Sequence, residues 1–111
     1  MVEVILATTE QIPGREIVEV LGVVSASVAM ARWFGADLMA GIRDFFGGRV
    51  KEYEKLMRNA TDEVFKKLAE EAKKMGANAV VGIKMFSPEI GGERRIGEVV
   101  AYGTAVKLKE I

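Results

Sequence analysis

Residues 41–54 hold the side chains and glycines best suited to binding chemistry in this chain. They read Gly-Ile-Arg-Asp-Phe-Phe-Gly-Gly-Arg-Val-Lys-Glu-Tyr-Glu. Gly47 and Gly48 allow backbone N–H groups to turn outward, and Arg49 follows just before a predicted helix start. Backbone donors, a helix N-terminus and an arginine together suit an anion, so we predict a small anionic ligand. The predicted ligand-binding residues are Arg43, Asp44, Gly47, Gly48, Arg49 and Tyr53.

The same segment also fits a purely structural role. Glycines are common where a helix ends, and no ligand is needed to explain them. Arg43 and Asp44 would then form a structural ion pair at a contact between subunits. The GxxxxGK[ST] pattern of a P-loop is absent from the sequence.

Few side chains are available to bind a metal ion, because the chain contains no Cys and no His. Soft heavy metals prefer thiolate and imidazole ligands. Carboxylates such as Asp37, Asp44, Glu52 and Glu54 would suit only harder cations, and surface charges are their ordinary role. We predict no metal-ligating residue, and the sequence identifies no cofactor.

Catalytic chemistry is restricted by the same two absences. No Ser-His-Asp or Cys-His set can be assembled, so the remaining candidates are Tyr53, Tyr102 and Lys84. Thr8 and Thr9 would need an activating base that the sequence does not identify. We therefore expect a protein that is not an enzyme.

Composition narrows the class of protein further. The 111 residues predict a single domain, residues 1–111. Half of the residues are hydrophobic, and 16 basic residues balance 16 acidic ones. Nucleic-acid binding normally requires a basic excess, and polybasic membrane attraction does too, so we expect neither partner. The start of the chain lacks the features of a signal peptide, which favours the cytoplasm.

Hydrophobic periodicity predicts an α+β fold in the order β-β-α-α-β-β, with an antiparallel or mixed sheet and both helices on one face. Residues 28–35 fit a strand extension, a loop or a turn of helix. The turn at residues 11–15 suggests that the first two strands form a hairpin. The predicted strands are 2–8, 17–25, Ala79–Phe86 and Ile96–Leu108, and the predicted helices are about 37–46 and 51–75.

The last predicted strand and the edges of the predicted sheet indicate what packs against the sheet. The side chains of residues 96–108 alternate between the two faces of the predicted strand. One face bears only small or apolar residues up to Lys107, which predicts close approach of another layer. A sheet of four strands has edges that must be blocked or used. Together with the apolar excess, these edges favour a homo-oligomer of closed symmetry over a monomer.

Four segments in order resemble the YbjQ-like family of small uncharacterised proteins. They are Thr8-Thr9, Ile-Val-Glu-Val-Leu-Gly-Val-Val-Ser at 17–25, residues 41–54, and Glu-Ala-Lys-Lys-Met-Gly-Ala-Asn-Ala-Val-Val-Gly at 71–82. The resemblance implies an α+β fold assembled as a ring, with a pentamer as the expected form. It also implies the family's label of heavy-metal binding, which a chain without Cys and His weakens. The expected function is a non-enzymatic binding or scaffold protein with a ligand site at subunit junctions, and metal binding is the alternative.

Overall fold

A computed structural model describes residues 3–29, 50–87, 89–90 and 96–110. These residues form one helix and a mixed sheet. The elements in chain order are β1 (Ile5–Leu6), β2 (Ile17–Ala29), α1 (Val50–Lys74), β3 (Ala79–Phe86), β4 (Glu89–Ile90) and β5 (Ile96–Leu108).

The four main strands lie in the order β1-β3-β5-β2, and β4 pairs with the end of β5. β1 is parallel to β3, whereas β5 is antiparallel to both β3 and β2. The predicted hairpin between the first two strands is therefore wrong, since β1 and β2 lie at opposite ends of this order. A turn at residues 11–15 does form, but it leads the chain across the sheet instead of back along β1.

Helix α1 confirms the long helix predicted at residues 51–75. Its apolar residues recur at spacings of three and four, so they line one face and pack on the sheet. Leu68, Val64 and Ala60 are completely buried there. The core they share with the sheet also contains Val24, Val28, Val80, Ile83, Val99, Ala101 and Ala105.

The helix ends in a Schellman motif that turns the chain into β3. The Gly76 N–H donates to the Lys73 carbonyl at 3.0 Å, and the Ala77 N–H donates to the Ala72 carbonyl at 3.1 Å. Gly76 takes a φ of +88°, which only glycine adopts easily. Lys73 and Lys74 in the last turn interact favourably with the negative end of the helix dipole.

The alternation predicted for β5 is confirmed. Val99, Ala101 and Ala105 are buried in the core beneath α1. Gly103 lies on the same side, where an added Cβ would approach Val80 and Ile83. The small residues on this face thus allow close packing of the neighbouring layers, as the sequence predicted.

A smaller apolar cluster lies on the other side of the sheet. Its buried members are Ala79, Val81, Val106 and Leu108, and Ile12 and Ile17 pack against them. The turn that carries Ile12 is held by Arg15, whose Nε and Nη2 donate to the Lys109 carbonyl at 3.3 and 3.2 Å. That face of the sheet is covered only at this end among the described residues.

β2 is longer than predicted, running through Ala29 instead of ending at Ser25. The short helix predicted at about residues 37–46 lies outside the described residues, as do Asp37 and Asp44.

Candidate functional site

Most of the site predicted from the sequence lies outside the part of the chain that the structure describes. This applies to Arg43, Asp44, Gly47, Gly48 and Arg49. The sixth predicted residue, Tyr53, lies in the first turn of α1, which begins at Val50. The helix start that the anion site requires is therefore found one residue after Arg49.

The catalytic candidates occupy ordinary structural positions. Thr9 Oγ1 donates to the Gln11 carbonyl at 2.7 Å, which fixes the turn after β1. Lys84 and Tyr102 are direct partners across β3 and β5, on the face opposite α1. The Tyr102 ring makes an edge-to-face contact with Phe86, with the ring centroids 6.1 Å apart.

Asn78 shows a contact that sequence reasoning missed. Its Oδ1 accepts from the Leu108 N–H at 2.7 Å, and its Nδ2 donates to the Leu108 carbonyl at 3.2 Å. The side chain thus extends the β3–β5 ladder by one more pair of hydrogen bonds. The backbone of Asn78 is not left-handed, since no non-glycine residue in the described ranges has a positive φ.

An open groove of about 500 Å³ is a candidate site among the described residues. It lies where α1 passes the β2 side of the sheet. Its walls come from three elements that are distant in sequence: Ser25, Ala26 and Ser27 of β2, Lys67, Glu70 and Glu71 of α1, and Glu98 and Val100 of β5.

The charges of this groove disfavour an anion. Three glutamates and one lysine line it, so its potential favours positive groups. It is therefore not the anionic-ligand site predicted at residues 41–54. In the described ranges no group of three or more Asp, Glu, Cys or His side chains is arranged to hold a metal ion.

The β2 edge is a second unusual surface among the described residues. We use this name for the backbone side of Ile17–Ala29 that faces away from β5. Among the described residues no strand pairs with it. Val18, Val20 and Val23 along this strand are 55%, 66% and 77% exposed, which is high for valine.

Comparison with known proteins decides the family. A family model described as "Putative heavy-metal-binding" matches residues 4–109. The chain belongs to the YbjQ-like family. UPF0145 proteins of the same length range are similar to it: one from Pyrococcus furiosus is 44% identical over 98% of this chain and 94% of its own length. One from Halobacterium salinarum is 47% identical over 91% and 95%.

The YbjQ-like fold is also seen in a distant solved structure. A protein of unknown function of the DUF74 family, from Pediococcus pentosaceus, matches with a TM-score of 0.55 and 18% identity. The match covers 96% of this chain and 98% of that protein. At this identity it supports the α+β fold and nothing about activity.

This chain lacks the side chains that a heavy-metal site would normally use. The whole sequence lacks Cys and His, and thiolate and imidazole are the ligands that soft metals prefer. The residues present do not fit a heavy-metal site.

No helix in the described ranges combines the length and apolar character needed to span a bilayer.

Proposed function

We propose that this YbjQ-like chain is a non-enzymatic binding protein that works as a homo-oligomer, with its ligand held where subunits meet. One observation carries the proposed assembly: the β2 edge is unpaired among the described residues, and valines along this strand are exposed. A second subunit placed along this edge would add a further wall to the groove.

The proposed assembly is a ring, with a pentamer as the form that the family resemblance suggests. A ring uses one surface of each subunit against a different surface of the next. The half-hydrophobic composition supports assembly because a chain of 111 residues has a large surface relative to its volume.

The proposed ligand is a small anion bound by Gly47, Gly48 and Arg49 at the start of α1. A helix N-terminus supplies free N–H groups and the positive end of the helix dipole. Arg43, Asp44 and Tyr53 complete the proposed set. We do not propose nucleic acid or membrane as partners, because the net charge is zero.

Isothermal titration with inorganic phosphate tests the anion site. We expect Arg49→Ala to weaken binding by tenfold or more, on the order of 1.4 kcal/mol for a charge-assisted contact. Arg58→Ala is the matched control, since Arg58 lies on the exposed face of α1. Binding that is unchanged in Arg49→Ala, together with a smaller native mass, would assign Arg49 a structural role at a subunit contact instead.

The family description supplies a second candidate function, which is metal binding. Titration of tag-free protein with Zn²⁺, Cd²⁺ and Cu⁺ tests it directly. We expect no binding tighter than millimolar, because the chain offers neither thiolate nor imidazole ligands. Micromolar affinity for any of these ions would establish metal binding and count against the present proposal.

A further inference from the structure

The face of the sheet opposite α1 is covered at one end and open at the other among the described residues. At the covered end, Ile12 and Ile17 pack on a buried apolar cluster. At the open end, Phe86 and Tyr102 remain 50% and 38% exposed. Aromatic rings offer large apolar contact areas, so this end of the sheet retains surface that the described fold does not use.

The rings of Phe86 and Tyr102 meet at an angle, and we call the surface between them the aromatic corner. Their centroids lie 6.1 Å apart and their planes are inclined by 69°. A third planar ring can therefore stack on one of them and meet the other edge to face, which are the two arrangements that aromatic pairs prefer. The aromatic corner thus suits a flat ring better than an aliphatic group.

The register of three strands places further side chains beside the aromatic corner. Neighbouring strands lie about 4.8 Å apart and alternate residues about 6.8 Å apart along a strand, so two rows of three residues cover roughly 10 by 7 Å. This is far below the roughly 800 Å² per partner of a stable protein interface, and it matches a small fused ring system. The two rows across β3, β5 and β2 are Lys84–Tyr102–Ser25 and Phe86–Val100–Ser27.

Lys84 gives this patch its charge. It is exposed, and its ammonium group forms no hydrogen bond or ion pair with a described residue. The hydroxyl of the neighbouring Tyr102 has no hydrogen-bond partner among the described residues either. Glu98 lies on the same face of β5 beyond Val100, so a negative group is favoured at the Lys84 end and disfavoured at the other.

We propose that the aromatic corner and Lys84 bind a small planar aromatic molecule that carries a negative charge. The ring lies against Phe86 and Tyr102, and its charged group accepts hydrogen bonds from Lys84 Nζ and the Tyr102 hydroxyl. All of these residues belong to one subunit, so the site depends neither on the proposed ring nor on the anion site at Arg49. The zero net charge still argues against nucleic acid as the source of the aromatic group.

Three related probes separate the contribution of the ring from that of the charge. Indole-3-acetate has both a planar ring and a carboxylate, indole-3-acetamide has the ring without the charge, and cyclohexaneacetate has the charge without an aromatic ring. In isothermal titration of the full chain, we expect indole-3-acetate to bind at least about threefold more tightly than either of the others.

Substitutions in the patch then locate the bound probe. Lys84→Met removes the charge but keeps the length of the side chain, so it should weaken indole-3-acetate about tenfold and leave indole-3-acetamide unchanged. Phe86→Leu removes one wall of the aromatic corner and should weaken both indole probes about threefold. Lys107→Met is the matched control, because Lys107 is an exposed lysine of β5 between the buried Val106 and Leu108 and so lies on the other face; it should bind all probes as wild type does.

Each of three results would overturn the proposal. The first is that indole-3-acetate does not bind at millimolar concentration, or binds no better than the other two probes. The second is binding that neither Lys84→Met nor Phe86→Leu weakens, which would place the probe elsewhere on the chain. The third is a wild-type chain that binds no probe together with a Phe86→Leu variant of lower native mass, which would show that a neighbouring subunit covers this face. The first two results leave the proposed oligomer intact.

Discussion

Gly103 provides a strict test of how tightly β3 and β5 approach each other. A Cβ added at this position would lie 2.8 Å from Val80 Cγ1, 3.0 Å from the Val81 carbonyl oxygen and 3.1 Å from Ile83 Cγ1. The Val81 oxygen belongs to the backbone of a paired strand, so it cannot move aside easily. Gly103→Ala should therefore force the two strands apart or displace both side chains.

The expected size of the effect follows from two opposing contributions. Overpacking of a close-packed core usually costs about 1–3 kcal/mol. Replacing glycine by alanine also restricts the unfolded chain, which stabilises the folded state by about 0.4–1 kcal/mol. Because Gly103 has no positive φ in the structure, backbone strain adds nothing. The net destabilisation should be about 1–2 kcal/mol.

Urea unfolding followed by circular dichroism measures this difference. With a slope of about 1–3 kcal/mol per molar urea, a loss of about 1–2 kcal/mol should lower the midpoint by roughly 0.3–2 M. Wild type and variant must be compared at one protomer concentration, because assembly contributes to apparent stability.

A double-mutant cycle identifies the cause of the change. Val80→Ala removes the Cγ1 atom nearest to the added methyl group, so Gly103→Ala should be less harmful in that background, by at least about 0.5 kcal/mol. A midpoint that rises in Gly103→Ala, or a cycle that is strictly additive, would refute the close approach described for these strands.

Three further changes have expected outcomes in the same unfolding assay. Asn78→Ala removes both side-chain hydrogen bonds to Leu108, so we expect a loss of about 1–3 kcal/mol; a loss below 0.5 kcal/mol would mean that water replaces them. Leu68→Ala empties a fully buried position beneath α1 and should cost about 2–5 kcal/mol; near-neutral behaviour would contradict its place in the core. Arg15→Ala breaks exposed hydrogen bonds to the Lys109 carbonyl and should cost about 1 kcal/mol or less; a larger loss would show that the residue 11–15 turn is essential for folding.

The long helix and the strand at residues 96–108 were predictable because each has its own periodicity. α1 repeats its apolar residues every three or four positions, and β5 alternates strictly, so both can be assigned without knowing their neighbours. The confirmed burial of Leu68 and Ala101 follows from these local patterns.

Strand pairing was less predictable, because it depends on residues that are far apart in sequence. The turn at residues 11–15 looks like a hairpin connection, yet β2 pairs with β5 and β1 pairs with β3. The Asn78 contact with Leu108 was missed for the same reason, since it joins residues 30 positions apart.

The groove could not have been found from motifs. Its lining residues, such as Ser27, Lys67 and Glu98, are common surface types with no special spacing. Only the packing of α1 beside β2 brings them together. The residue 41–54 segment, in contrast, was recognisable from its glycines and arginines, and its ligand stays a prediction.

The central position of β5 has a consequence for the order in which the protein can fold. β5 pairs with β2, β3 and β4, and it joins Ile17 to Leu108 and Ala29 to Glu98. During synthesis, β2 therefore stays unpaired until its partner, β5, has been made. Until then both of its edges, with their valines, are open to other chains. Such long-range pairing also folds slowly, so the expression yield of this protein should depend more on how fast the last strand joins than on the stability of the finished domain.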